Sequence, residues 1–326
     1  MPSDDLARVC FGSTDLQVSR LCQGTAFRSM PREEQPRGVQ VLEHCLEVGV
    51  NFFDSAIAYG WGGAESCLGR AIAGRRDQAV ICTKVPSSQP PPEVGGSGVT
   101  EAYTGAYLTD QLEGSLRRLG TDYVDLFLLH HTEKGGTPPA VVAAAMDELV
   151  RSGKTRYWGV SNHSGNEVQE YVDAAAAVGT APPVGTEDYY NIAGNQLMDS
   201  GKSRTAWLER DLFPVTRKAG LGLIAFSPVD CGALAPGKEG DAGPALKALI
   251  QTIDGVAGDL GLARATVCVA WVLTHPEVTS VLAGSESEEH VDQNLAGTTL
   301  ELPSDALSTL NGASVEFRRR REEEGG

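Results

Sequence analysis

Basic residues are scarce in this chain. Its 326 residues carry 27 Lys and Arg against 43 Asp and Glu, a formal net charge of −16, so nucleic acid and anionic membrane surfaces are repelled at long range and are set aside as partners. Long apolar runs are also missing. No segment reaches the roughly 18 apolar residues that a membrane span needs, and the start, Met1-Pro2-Ser3-Asp4-Asp5, has neither a basic nor an apolar stretch, which gives the expectation of a cytoplasmic protein. The seven cysteines, at positions 10, 22, 45, 67, 82, 231 and 268, are odd in number and scattered. None has the spacing of a zinc site or a redox pair, so no metal is expected and the thiols read as buried side chains in a reducing compartment. No low-complexity linker divides the sequence, and a hydrophobic content of 41% is ample for one large core, so 1–326 is expected to be a single domain. Only the end, Arg318-Arg319-Arg320-Arg321-Glu322-Glu323-Glu324-Gly325-Gly326, stands apart, as a mixed charge run expected to form a solvated, disordered tail.

Short apolar runs recur instead. Leu21-Cys22-Gln23-Gly24, Asn51-Phe52-Phe53-Asp54, Ala79-Val80-Ile81-Cys82-Thr83, Tyr123-Val124-Asp125-Leu126-Phe127-Leu128-Leu129, Tyr157-Trp158-Gly159-Val160, the run 184–187, Leu221-Gly222-Leu223-Ile224-Ala225-Phe226 and Ser280-Val281-Leu282-Ala283 read as eight buried parallel strands. Helical patterns lie between them, for example over 38–48, 64–73 and 108–119. Eight strands alternating with helices predict an α/β fold, a closed (β/α)8 TIM barrel.

Such a barrel places its chemistry at the C-terminal ends of its strands. Asp54, Lys84 and His130 end the second, third and fourth runs, and Tyr59 follows Asp54 in the loop. Together they form a proton-transfer set around one phenol: Lys84 favours the phenolate and lowers the phenol's affinity for its proton, Asp54 keeps Lys84 charged, and His130 hydrogen-bonds a carbonyl oxygen or relays a proton. The set cannot supply two electrons, so a redox cofactor is implied. Schiff-base chemistry at Lys84 is the alternative that these residues leave open.

Several motifs in register carry a resemblance. The stretch from Asn51-Phe52-Phe53-Asp54-Ser55-Ala56 to Tyr59-Gly60, Thr83-Lys84, Asp125-Leu126-Phe127-Leu128-Leu129-His130, Gly159-Val160-Ser161-Asn162, Ala225-Phe226-Ser227-Pro228 and Gly284 to Asn294 resemble the aldo-keto reductase superfamily. The opening 11–19 is similar to its N-terminal β-hairpin cap. The resemblance implies nicotinamide-dependent, reversible reduction of an aldehyde or ketone, with Tyr59 as general acid and base and Asp54, Lys84 and His130 as its partners. It also implies that Ser161 and Asn162 hold the nicotinamide carboxamide and that Phe226, where tyrosine is usual, stacks on the ring. Asp54 again, with Gly24 and Thr25 at the end of the first strand, falls among the implied cofactor contacts. Ser227, Val229, Gly232 and Leu234 would wrap the pyrophosphate, and Gly284, Ser285, Glu286, His290 and Asn294 the adenosine end.

Two departures bear on the cofactor. Glu187 stands where the family has a glutamine that shares the carboxamide, and an ionised carboxylate accepts but does not donate; it is therefore protonated, or the contact is rearranged, and the ionised form would tighten the oxidised cofactor. The stretch Ser285-Glu286-Ser287-Glu288-Glu289 has glutamates where a 2′-phosphate would want cations, which suits NAD, while the helix start and Ser285 still offer donors to a phosphate. The resemblance puts NADPH first and leaves NADH open. Phe27, Trp61 and His131 are candidates for the substrate pocket, His131 being directed by strand alternation to another face or into the loop, and 86–103 reads as a loop over the mouth. The function classes are a carbonyl reductase, or the same enzyme run as an alcohol or sugar dehydrogenase with NAD; a nicotinamide-binding regulatory subunit of the channel-associated kind; and a lyase using Lys84.

Overall fold

The computed structural model describes residues 6–27, 35–240 and 242–325; the opening 1–5 and Gly326 lie outside them. Eight parallel strands close into a barrel: β3 (Leu21–Gly24), β4 (Phe52–Asp54), β5 (Val80–Val85), β6 (Val124–Leu129), β7 (Thr155–Ser161), β8 (Gly185–Tyr189), β9 (Gly222–Phe226) and β10 (Ser280–Ala283), with β10 pairing back to β3. Helices α1 (Gln35–Glu47), α2 (Gly63–Ala71), α3 (Gly105–Leu119), α4 (Pro139–Arg151), α5 (Gly165–Val178) and α6 (Arg204–Ala219) fill the first six crossovers. Two helices, α7 (Pro244–Leu260) and α8 (Arg264–Leu273), fill the crossover from β9 to β10, and α9 (Glu288–Gly297) and α10 (Ser304–Gly325) follow. No single described helix is long and apolar enough to cross a membrane.

Local signals explain where the helices begin and end. In α3 the Thr104 side chain accepts from Tyr107 N, Leu108, Leu112, Leu116 and Leu119 all face inward, and Gly120 stops the helix in the left-handed conformation at φ 65°, a position glycine reaches without a Cβ clash. In α5 Ser164 and Glu167 form a reciprocal capping box, which satisfies two of the backbone donors that a helix start leaves free. That cap fixes the chain directly after Ser161 and Asn162.

The antiparallel hairpin of β1 (Arg8–Cys10) and β2 (Gln17–Ser19) lies outside the barrel sheet. Its Phe11, Leu16 and Val18 join Cys22, Phe52, Val80, Cys82, Leu126, Leu128, Ile224 and Leu282 in one buried cluster inside the barrel, so the hairpin plugs the N-terminal end. Phe11 needs the room that Gly185 and Gly222 leave: a Cβ there would meet its ring at 2.4 and 2.7 Å. A larger cluster fills the layer between strands and helices. With the floor sealed, the C-terminal mouth is the open end.

The charge run 318–325 is not the disordered tail that its composition suggested. It continues α10. Arg319 pairs with Glu323 at 2.5 Å and Arg320 with Glu316 at 2.6 Å, i,i+4 pairs that support a helix. Arg318 reaches Glu209 at 3.2 Å, Arg321 reaches Asn195 at 2.8 Å, and Glu322 accepts from Ser203 N at 3.0 Å. The run therefore pins the loop between β8 and α6 at the mouth.

Candidate active site

Strand register delivers the catalytic candidates. Asp54 ends β4, Lys84 stands one residue before the end of β5, and His130 immediately follows β6. Lys84 Nζ donates to Asp54 Oδ1 and to Ser55 O at 3.0 Å, and stands 3.2 Å from Glu187 Oε2. All three charged side chains are at most 2% exposed. Lys84 Nζ also lies 5.1 Å from the Tyr59 ring centroid, and the Tyr59 and His130 rings meet edge to face at 5.7 Å. The structure thus brings together the four residues picked out by sequence and adds Glu187 to them.

Burial governs the protonation states. Taken alone it would push the Lys84 ammonium down, but Asp54 and Glu187 reverse this and hold it well above the ordinary lysine range. The Tyr59 phenol is pushed up by burial; Lys84 opposes the rise, while Asp54 and Glu187 add to it. This corrects the expectation that Lys84 leaves the phenol easily ionised, because burial outweighs the ammonium and the carboxylates beside it add to the rise. Tyr59 holds its proton at neutral pH. Burial, then Lys84 and His131, push the His130 imidazole well below its usual value, so His130 is neutral. Its Nδ1 is buried without a hydrogen-bond partner.

His131 stands exposed in the loop that follows β6, the second of the two placements expected for it. The strand ends at Leu129, so alternation no longer applies, and the His131 ring stacks on His130 at 4.6 Å with the planes 3° apart. Tyr103 OH donates to His131 O at 3.0 Å and Tyr107 OH to Pro86 O at 3.0 Å. These bonds anchor the 86–103 loop, which folds back on itself through Gln89 N to Val99 O and Glu101 N to Ser87 O, at 2.8 and 2.9 Å.

Asn162 adopts φ 62° directly after β7. Its Nδ2 donates to His130 O and to Ser161 Oγ, both at 3.0 Å, and its Oδ1 accepts from Arg204 at 2.7 Å. Arg204 also donates to buried Asp188 at 3.1 Å and lies 6.0 Å from the half-buried Phe226 ring. Sequence reasoning missed Arg204, which sits at a helix start 42 residues from Asn162 with no motif around it. His163 is buried, hydrogen-bonded through Nδ1 to Ser161 O at 2.9 Å and packed on Tyr171.

The aldo/keto reductase family model matches residues 20–314. The chain belongs to the aldo/keto reductase family. It is 30% identical to the uncharacterized oxidoreductase YrpG of Bacillus subtilis (strain 168) and 30% identical to the methylglyoxal reductase YeaE of Escherichia coli (strain K12), in each case over 92% of this chain and 93% of the relative. It is 27% identical to a probable voltage-gated potassium channel subunit beta of Oryza sativa subsp. japonica, over 87% of this chain and 88% of the relative. This aldo/keto reductase is accordingly an NAD(P)H-dependent oxidoreductase acting on a small-molecule substrate.

The remaining cofactor candidates of this aldo/keto reductase lie at or beyond the C-terminal ends of β3, β9 and β10. Phe226 ends β9, and Ser227, Asp230, Cys231 and Gly232 follow with φ of 63°, 51°, 53° and 93°, a tightly coiled turn that carries its backbone past the strand end. The Leu234 side chain is buried in the core and its carbonyl accepts from Arg264 at 2.9 Å. After β10, Gly284 faces open space, Ser285 is buried with Oγ accepting from Asn294 Nδ2 at 3.0 Å, and its carbonyl accepts from Gln23 at 3.0 Å. His290 is exposed in the first turn of α9, and Glu286 is half-buried just before it. Thr25 is buried, bonded through Oγ1 to Ser55 at 2.9 Å and through N to Asp54 O at 3.0 Å. The close approach of the Phe27 ring to Gly38 makes it a packing residue against α1, whereas Trp61, at φ 48°, stays partly accessible two residues beyond Tyr59. Five of the seven free cysteines are buried, while Cys10 and Cys231 are exposed.

Proposed function

We propose that the enzyme reduces an aldehyde or ketone to the alcohol, with Tyr59 as the general acid, in a reaction that runs in reverse with Tyr59 as base. The observation that carries this reading is the setting of the Tyr59 ring, 5.1 Å from the Lys84 ammonium and in edge contact with neutral His130. A phenol held protonated can give its proton to an oxygen on which negative charge develops, and Lys84 then stabilises the phenolate left behind. Neutral His130 donates one N–H to the same oxygen and so orients it. When bound, the reduced nicotinamide supplies the hydride.

The residues fit that cofactor. Ser161 and Asn162 present polar groups fixed by Arg204, Phe226 offers a ring face, and Gly232 and Gly284 leave open space where a Cβ would stand. Asn294 locks Ser285 at the start of α9, where free backbone donors and the helix dipole favour a phosphate; this supports NADPH. Glu288 and Glu289, exposed in the first turn of α9, favour a free ribose hydroxyl and carry the second reading, a sugar or secondary-alcohol dehydrogenase using NAD.

Titration of the protein with NADPH, NADP, NADH and NAD, followed by fluorescence quenching, separates the two, and absence of binding by all four would overturn both. Tyr59→Phe should lower carbonyl reduction by about 10²- to 10⁴-fold while cofactor binding persists; retained turnover would remove Tyr59 from its role.

A further inference from the structure

Glu187 is the charged group that the reaction above does not use. It projects from β8 to the centre of the barrel, in register beside Ser161 of β7, and is 2% exposed. Its Oε2 stands 3.2 Å from Lys84 Nζ but outside hydrogen-bonding geometry, and Asp54 Oδ2 likewise lacks a hydrogen-bond partner. One oxygen of each carboxylate lies within 4.8 Å of the other and of Cys82 Sγ. Two anions and one ammonium buried from solvent leave one charge uncompensated. A single proton shared by the two carboxylates removes that charge.

We propose that Glu187 is a positioning residue, a second carboxylate that shares one proton with Asp54 across the Lys84 ammonium and thereby sets how firmly Tyr59 holds its phenolic proton. The inference rests on the reading of Tyr59 as general acid and deepens it. The titratable groups facing Glu187 are Asp54 from β4, Cys82 and Lys84 from β5, Cys22 from β3, and Tyr59 from the loop after β4; His130, after β6, faces it across Lys84. Burial and Asp54 hold the Glu187 carboxyl well above the ordinary carboxylate range, and burial holds the Cys22 and Cys82 thiols protonated. The shared proton is therefore the labile one on the carboxylate side of Lys84. While it is present, Lys84 is balanced by one net anion. When it leaves, a second anion faces the phenol and opposes formation of the phenolate.

The test compares Glu187→Gln and Glu187→Asp with the wild type. Glutamine keeps the shape and removes the ionisation, so the alkaline limb of the pH profile for carbonyl reduction and the rising limb for alcohol oxidation should both move down by at least about one pH unit, the size of shift that one neighbouring charge produces. Aspartate should restore much of the wild-type profile. Unchanged profiles in Glu187→Gln would overturn the proposal. A second readout needs neither turnover nor the variant: infrared difference spectra of the wild-type protein between neutral and alkaline pH should show the loss of a protonated carboxyl band. Absence of that band would also overturn it. If the protein binds no nicotinamide cofactor but the band is present, the functional reading fails and the proton-sharing pair stands.

Discussion

Lys84→Met is the perturbation that the buried charges make most informative. Methionine keeps an unbranched stem of similar length, so packing at this fully buried position changes little, but Asp54 and Glu187 lose their common cation. Removing one partner of a buried ion pair typically costs about 3–5 kcal/mol, because the remaining charge is left uncompensated. The protein can recover part of that by taking up a proton, so the deficit must depend on pH. In the wild type burial and Asp54 hold the Glu187 carboxyl above its ordinary range; without the ammonium the pair of carboxylates takes up a second proton, so the folded state binds one more than the wild type does. A group whose folded-state affinity for protons is raised contributes its full stability below the unfolded value, near 4 for a carboxylate, and loses it as pH rises toward the folded value. The extra deficit of the variant should therefore be small near pH 4 and grow by about 1.4 kcal/mol per pH unit above it, until the carboxylate pair releases that proton in the folded state. Urea unfolding of both proteins at pH 5, 6, 7 and 8, followed by intrinsic fluorescence, measures this difference. A deficit below about 1 kcal/mol at pH 7, or one that stays flat with pH, would refute the idea that Lys84 compensates two buried carboxylates.

Two further perturbations probe the floor and the rim of the barrel. Phe11→Ala should cost about 3–5 kcal/mol in denaturant unfolding, because Phe11 is fully buried against Phe52 and the hollow at Gly185 and Gly222 cannot collapse around glycine backbone; a loss under about 1 kcal/mol would mean that the hairpin does not plug the barrel. Asp188 is fully buried, and burial, opposed by Arg204, pushes its carboxyl up to about 6. Its stabilising contribution is then present below pH 4 and lost as pH rises to about 6, so Asp188→Asn should flatten the stability profile between those values, and an unchanged slope there would assign it to other groups.

The barrel was legible because its strands are buried on both faces and read as short, uninterrupted apolar runs; all eight recur within a residue or two of where the pattern put them. The catalytic candidates were legible for the same reason, since a polar residue closing an apolar run marks the strand end that faces the mouth. What composition could not show was the state of 318–325. A run of four arginines and three glutamates looks solvated, yet Arg318 finds a partner on α6, and Arg321 and Glu322 find theirs on the loop before it, all more than 100 positions away in sequence. Pairing at that distance leaves no local pattern.

The electrostatics of the site were hidden by the same long-range geometry. From sequence, Lys84 beside Tyr59 argues for an easily ionised phenol. That argument counts one cation and one anion, Asp54, and it fails because closing the barrel buries the phenol, which raises its hold on the proton by more than the ammonium lowers it, and β8 brings Glu187 to the same ammonium. The sign of the field at Tyr59 depends on how many charges share the barrel axis, and closure of eight strands decides that number. Arg204 shows the rule at the rim: its role is to fix the amide of Asn162, so that Oδ1 accepts from the guanidinium and Nδ2 points to His130 O and Ser161 Oγ. Neither its helix-start position nor its neighbours in sequence distinguish it from a surface arginine. Side chains that act by orienting others have no chemistry of their own to betray them, and only the three-dimensional contacts assign them.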